Sequence, residues 1–242
     1  NLDRGLADAP PALTVPAADA ASAVVVTDGS TTAPRAGNLG RMVGAFGIHP
    51  HEASKWSPEV QAQFESAMSH PHVVAWGECG LDYFYDNSPR DKQKVVFAEQ
   101  MALAVKHKKP LVVHTRDAEE DTIVLMKQHL PADWIVHIHC CTSSRAMIEP
   151  LMEYFPNLYV GFTGVITFPT AANVRDTLDA VPLERLLLET DGPFMAPLPF
   201  RGAVAHPGHV PFTAEKMAEV KGVPVAEVFA AVRKNTRAVY GI

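Results

Sequence analysis

Cysteine is scarce in this 242-residue chain: there are three, Cys79, Cys140 and Cys141, and two of them are adjacent. They make no disulfide framework, so stability has to come from a packed core. The chain suits a reducing compartment, the cytoplasm first, then the nucleus or mitochondrion. Long apolar runs are missing as well. No stretch approaches the ~20 residues that cross a bilayer, and the first residues lack a basic-then-apolar signal pattern. No membrane partner is expected. Positive charge is in deficit: 21 Lys and Arg stand against 27 Asp and Glu, a formal net charge of −6. That balance excludes a broad basic face for gripping duplex DNA. A phosphate substrate would have to be held locally, by metal ions and a few arginines.

Hydrophobic residues, by contrast, make up 47% of the chain, enough for a large core. No internal repeat or low-complexity block divides it, so residues 1–242 read as one domain. Residues 4–21 are rich in Ala, Pro and Asp and read as a loose segment. Ala23 to Val26 is a short β-branched strand, and Ser30 to Gly40 is a polar loop. From Met42 onward, strand-like runs alternate with helical stripes. Ser57-Pro58 and Ser88-Pro89 look like helix starts, with Ser as N-cap and Pro at the first position. Asp117 opens a third helix, and two helices starting near Thr213 and Val225 close the chain. Alternation with short links argues an α/β fold with a parallel sheet. Seven strands are counted, one fewer than a closed (β/α)8 TIM-type barrel needs. The missing first strand is expected before Asn1, where the chain opens without a Met.

Four of the apolar runs end in a potential metal ligand. Val73 to Gly77 leads to Glu78, Leu111 to Val113 to His114, Ile135 to Ile138 to His139, and Leu186 to Leu188 to Glu189-Thr190-Asp191. The carboxyl ends of barrel strands are where chemistry is placed. Two carboxylates and two imidazoles can hold divalent cations and activate water. Gly77 and Gly80 flank Glu78 and permit close backbone approach. His137 and His139 share a strand face; His139, nearer the mouth, is the candidate ligand and His137 a deeper hydrogen-bonding residue. Singly, each of these residues has an ordinary structural explanation, and it is their joint position that argues for a site.

The motifs Gly47-Ile48-His49-Pro50-His51, Gly77-Glu78-Cys79-Gly80-Leu81-Asp82-Tyr83, His114-Thr115-Arg116-Asp117-Ala118, His139-Cys140 and Glu189-Thr190-Asp191-Gly192-Pro193 together resemble the TatD-type metal-dependent nucleases. These are amidohydrolase-like barrel hydrolases. The late Arg201-Gly202 and Asn235 fit the same pattern, and the resemblance runs from about Gly44 to the end. It implies a distorted TIM barrel and one or two divalent ions (Mg²⁺, Zn²⁺ or Mn²⁺). It also implies phosphodiester hydrolysis, typically 3′-to-5′ trimming of DNA by a monomer acting on single-stranded or duplex ends. By resemblance, Glu78 bridges two metals, His114 and His139 complete one site, and Asp191 serves the other and either orients the attacking water or takes its proton. His49, Arg116 and Arg201 are the expected substrate contacts, the two guanidinium groups as phosphate clamps. His51 is expected to be exposed, and Cys79 and Cys140 to pack without coordinating. Asp82 and Tyr83 either line the mouth or cap the next helix.

One departure stands out. The family's first strand ends in His-x-His followed by Leu-Asp, and here Asn1-Leu2-Asp3-Arg4 begins where the second His would be. Two other functions therefore stay open at this point: a metal-dependent amidohydrolase acting on a small molecule, and a metal-binding interaction protein with impaired catalysis.

Overall fold

In the computed structural model, residues 22–27, 42–85 and 87–242 are described. The loose segment at 4–21, the loop at 30–40 and the Asn1-to-Arg4 motif lie outside them.

The strand-like runs form one seven-stranded sheet in sequential order. Its strands are β1 (Ser22–Thr27), β2 (Met42–Gly47), β3 (Val73–Asp82), β4 (Leu111–Arg116), β5 (Val136–Ile138), β6 (Leu158–Phe162) and β7 (Leu186–Leu188). β2 to β7 are parallel, as the strand–helix alternation requires. β1 departs from the expected parallel sheet and runs antiparallel to β2, with Ser22 opposite Gly47 and Thr27 opposite Met42. A parallel return needs a crossover, usually a helix packed on the sheet. The polar sequence between β1 and β2 offers no apolar stripe for one. Among the described residues β7 pairs only with β6 and β1 only with β2, so these seven strands do not close into a barrel by themselves.

The helices are α1 (Pro58–Ala67), α2 (Arg90–Lys106), α3 (Glu119–His129), α4 (Arg145–Tyr154), α5 (Ala172–Ala180), α6 (Val210–Lys221) and α7 (Val225–Tyr240). The Ser57 side chain accepts from the Val60 amide, a cap that contributes about 1 kcal/mol. The second expected cap is not made: α2 has Pro89 at its N-cap without a side-chain bond. Ser88 Oγ instead donates to the His51 carbonyl and accepts from the Ser54 amide, tying the loop after β2 to the start of α2. Asp117 lies before its helix in a left-handed conformation (φ 53°), and α6 begins at Val210 ahead of Thr213.

Strand alternation sorts the core into two clusters. Phe46, Trp76, Val113 and Leu186 join the large cluster with Phe64, Phe97 and Met101 from the helices. Each such buried side chain contributes roughly 1.5–3 kcal/mol. Their neighbours Ala45, Ala75, Val112 and Leu187 point to the other face, where Val239 and Tyr240 of α7 cover them. Asn235 fastens α7 in place, its amide donating to the carbonyls of Leu183 and Leu186. This buried structural role accounts for the late Asn. The smaller inner cluster leaves a cleft above it, at the carboxyl ends of the strands.

Candidate metal centre

The cleft is lined from β2 by His49 and His51, from β3 by Glu78 and Asp82, and from β4 by His114 and Arg116. His139, Cys140, Glu189 and Asp191 close it on the far side. The four expected ligands come together through Glu78. Its Oε1 lies 2.9 Å from His114 Nδ1 and 3.3 Å from His49 Nε2, and its Oε2 lies 3.5 Å from His139 Nε2. His139 Nε2 is in turn 3.4 Å from Asp191 Oδ1.

Local backbone explains the placement. Glu78 and His114 do not follow their strands, as expected, but sit within them, because β3 continues to Asp82 and β4 to Arg116. A register shift between Trp76 and Cys79 re-aims the strand at Glu78, and Gly80 then pairs with His114. A Cβ on Gly80 would lie 1.9 Å from the His114 carbonyl oxygen, so only glycine lets the two strands close up beside the ligands. His139 and Asp191 stand on turns after the three-residue strands β5 and β7, and Cys140 and Asp191 adopt left-handed φ values of 42° and 45°. Strained φ at a strand end is common where a side chain must face a ligand.

Several neighbours had no assigned role or were read differently. His51, expected to be exposed, is turned inward, and its Nε2 lies 2.9 Å from Asp82 Oδ2. The same Asp82 oxygen lies 3.1 Å from His114 Nε2, so Asp82 orients His114 from behind; it lines the mouth and is almost fully buried. Glu189 does the same for His139, bonding its Nδ1 through Oε2 and accepting the Cys140 amide at Oε1. A Cβ on Gly161 would lie 2.0 Å from Glu189 Oε1, so that glycine makes the room for this carboxylate. His137 is the deeper residue expected, with Nδ1 2.6 Å from the Tyr240 hydroxyl. The sequence signals for Glu189 were its place directly after an apolar strand and at the head of the Glu189-Thr190-Asp191-Gly192-Pro193 motif.

Arg116 lies at the cleft, its guanidinium 3.9 Å from the centre of the Phe84 ring. Arg201 does not join it. Its guanidinium stacks over Phe168, 4.5 Å away, outside the lining residues. Cys79 is buried, as expected of a packing residue. Cys140 reaches the cleft, with a sulfur 3.4 Å from Met195 Sδ.

Burial and mutual charge set the protonation of these groups. Burial opposes ionisation of Glu78, but the His139 charge and hydrogen bonds from His114 and His49 hold its carboxyl well below the usual range. Burial likewise opposes charge on His139, yet the Glu189 and Glu78 carboxylates raise its pKa well above the ordinary imidazole value. His114 is raised against the same penalty by its bonds to Asp82 and Glu78. His49 goes the other way: burial lowers it, and the His114 charge adds to the effect. The Cys140 thiol is pushed well up by burial and by the nearby Asp191 and Glu189 charges.

Two groups of donor atoms result, His49–Glu78–His114 and His139–Cys140–Asp191, each with all its atoms within 4.8 Å of one another. Glu78, Asp82, Glu189 and Asp191 pair here with imidazoles. A set of imidazole nitrogens and carboxylate oxygens converging on one cleft fits divalent cations.

The chain matches the model of the TatD related DNase family over residues 20–241. It belongs to that family. Among TatD-type relatives it is 44% identical over 203 residues to the human 3′-5′ RNA nuclease TATDN2, covering 82% of this chain. It spans only 27% of that protein's length. It is 37% identical over 198 residues to the metal-dependent hydrolase YabD of Bacillus subtilis, covering 82% of this chain and 77% of YabD. The crystal structure of the TatD homologue YjjV from Escherichia coli superposes with a TM-score of 0.74 at 30% identity, over 81% of this chain and 75% of that one.

Proposed function

We propose that this chain is a metal-dependent nuclease. It hydrolyses phosphodiester bonds of nucleic acid from the 3′ end, DNA as first expected and RNA as the name of the human relative suggests. The observation that carries the reading is the position of Glu78, whose two oxygens face the two donor groups separately. Such a carboxylate is suited to bridging two cations. His49, expected as a substrate contact, would with His114 and Glu78 hold one ion; His139, expected on the same ion as His114, would instead hold the other with Asp191, with the Cys140 sulfur beside them.

When bound, the ions supply Lewis-acid polarisation of the phosphate and a water of lowered pKa. The chain's own groups do the rest. Asp82 and Glu189 orient His114 and His139 so that a nitrogen of each points into the cleft. Asp191, with its side chain 27% exposed, is the carboxylate most open to the cleft and is placed to accept a proton at a carboxylate oxygen. The Arg116 guanidinium contributes positive charge at the mouth for a phosphate. We further propose that residues 1–242 act as one barrel domain. Three free cysteines suit the cytoplasm.

The test is end-labelled oligonucleotide digested with Mn²⁺, Mg²⁺ or Zn²⁺ and with EDTA. Labelled mononucleotide released at once from the 3′ end, and only with metal, is the expected result. Metal binding without any nucleotide release would overturn the nuclease reading in favour of an interaction protein.

A further inference from the structure

Beside the candidate metal centre, the turn after β3 presents two aromatic rings to solvent. Phe84 is 54% exposed and Tyr85 44% exposed. A pair of large rings left in water needs a reason, since nearby Trp76 and Phe97 are completely buried. The rings stand edge to face, 4.7 Å apart. Phe84 carries the Arg116 guanidinium 3.9 Å from its centre, and that cation lies 5.0 Å from the Tyr85 ring. Among the described residues no carboxylate pairs with Arg116.

The turn is also tied rigidly to the metal ligands. Asp82 Oδ1 accepts the backbone amides of both Phe84 and Tyr85 at 3.0 Å, while its Oδ2 lies 3.1 Å from His114 Nε2. His51, on the same Asp82 oxygen, meets the Tyr85 ring edge-on at 5.3 Å. One buried carboxylate therefore sets the distance between an exposed ring and a candidate ligand. Tyr85 and Arg116 line the cleft itself.

We infer that Tyr85 and Arg116, braced by Phe84, form a platform for an unpaired nucleotide beside the scissile phosphate. Tyr85 stacks on the base and Arg116 meets the backbone phosphate. The inference rests on the nuclease reading above and adds the residue that grips the base, Tyr85, which stacks with little preference among bases. Every base offers a face to an aromatic ring, whereas a paired and stacked base offers none. A planar cation held on an aromatic ring keeps its donors free for phosphate oxygens.

The experiment compares the protein with Tyr85→Ala, Tyr85→Phe and Arg116→Ala. Binding is read by fluorescence of 2-aminopurine near the 3′ end of a single-stranded oligonucleotide in Ca²⁺, and KM by cleavage in Mn²⁺. A second oligonucleotide is abasic at its last two positions. Tyr85→Ala should weaken binding and raise KM for the normal strand by roughly 5- to 150-fold, the range of one base–aromatic stack. The loss should be absent on the abasic strand and rescued by Tyr85→Phe. Arg116→Ala should weaken both strands alike and lower the salt slope by about 0.7, the value for one phosphate of a single strand. Equal binding of the normal strand by Tyr85→Ala and the parent overturns the platform, as does a loss of the same size on the abasic strand. If the parent binds the strand through Tyr85 but never cleaves it, the nuclease reading fails and the platform stands. If it binds no strand, the platform fails.

Discussion

The two donor groups in the cleft are built by different means. His49, Glu78 and His114 stand on or beside long paired strands, with Glu78 and His114 inside β3 and β4. His139, Cys140 and Asp191 stand on turns beyond strands of three residues, two of them with left-handed backbone. The first group is positioned by the sheet ladder and trimmed by Asp82. The second depends on Glu189, which holds the His139 ring and the Cys140 amide together. Strand pairing can fix a ligand by itself; a turn needs a side chain to do so. Glu78 belongs to the first group and reaches the second, its Oε2 lying 3.5 Å from His139 Nε2.

The largest effect should therefore come from Glu78→Gln, which keeps the size and removes the shared charge. It should cost about 10³-fold or more in kcat/KM, since several kcal/mol of metal-derived stabilisation are at stake. Circular dichroism should stay that of the parent. Cleavage at the parent rate would sink the bridging role.

Next, Glu189→Gln and Asp82→Asn set the turn-built group against the strand-built one. Loss of a carboxylate behind a ligating imidazole typically costs 10–100-fold in metal affinity. Titration calorimetry should give the larger loss for Glu189→Gln, because His139 lies beyond the end of β5 and the Cys140 amide loses its acceptor as well, and the smaller for Asp82→Asn, because His114 lies inside β4. The reverse order would mean that the sheet does not position His114.

pH sharpens the contrast without mutation. His114 and His139 are raised above the ordinary imidazole value, so the stability from their pairing is complete below that value. It is lost as pH rises through the raised pKa. Asp82 and Glu189 are held below the ordinary carboxylate value, so their contribution is complete above that value and lost as pH falls through the lowered pKa. Thermal denaturation in EDTA should show greatest stability between about pH 4 and 6.5, falling roughly 2–4 °C for each kcal/mol of pairing lost. Divalent metal should remove the alkaline fall by taking the place of the imidazole protons. A metal-free profile that is flat from pH 6 to 9 would contradict the charge pairing.

The smallest effect is expected at Arg201. The family resemblance made it a phosphate clamp, but it lies over Phe168 and outside the cleft. Arg201→Ala should change KM for oligonucleotide by less than about two-fold at matched salt, as is usual for a surface substitution. A large rise in KM would return it to the substrate path.

The order of strands and helices, the convergence of Glu78, His114, His139 and Asp191 and the deeper place of His137 were legible in the chain itself. Apolar runs, helix-start pairs and a charged residue after each run are local features, and local propensity and alternation act over a few residues. Partnerships were not legible. Asp82 finds His114 across 32 residues on neighbouring strands, and Glu189 finds His139 across 50 with β6 between their strands, both joined only when the sheet aligns in register. The direction of β1, the inward turn of His51, the use of Ser88 as a loop tie and the removal of Arg201 from the cleft were likewise decided by packing. A carboxylate's role depends on which cation or imidazole lies within a few ångströms, and spacing along the chain does not set that distance. The sequence by itself determined which candidate ligands stand at the ends of apolar runs; the tertiary structure decided which of them meet, because only the folded sheet brings strand ends to one place.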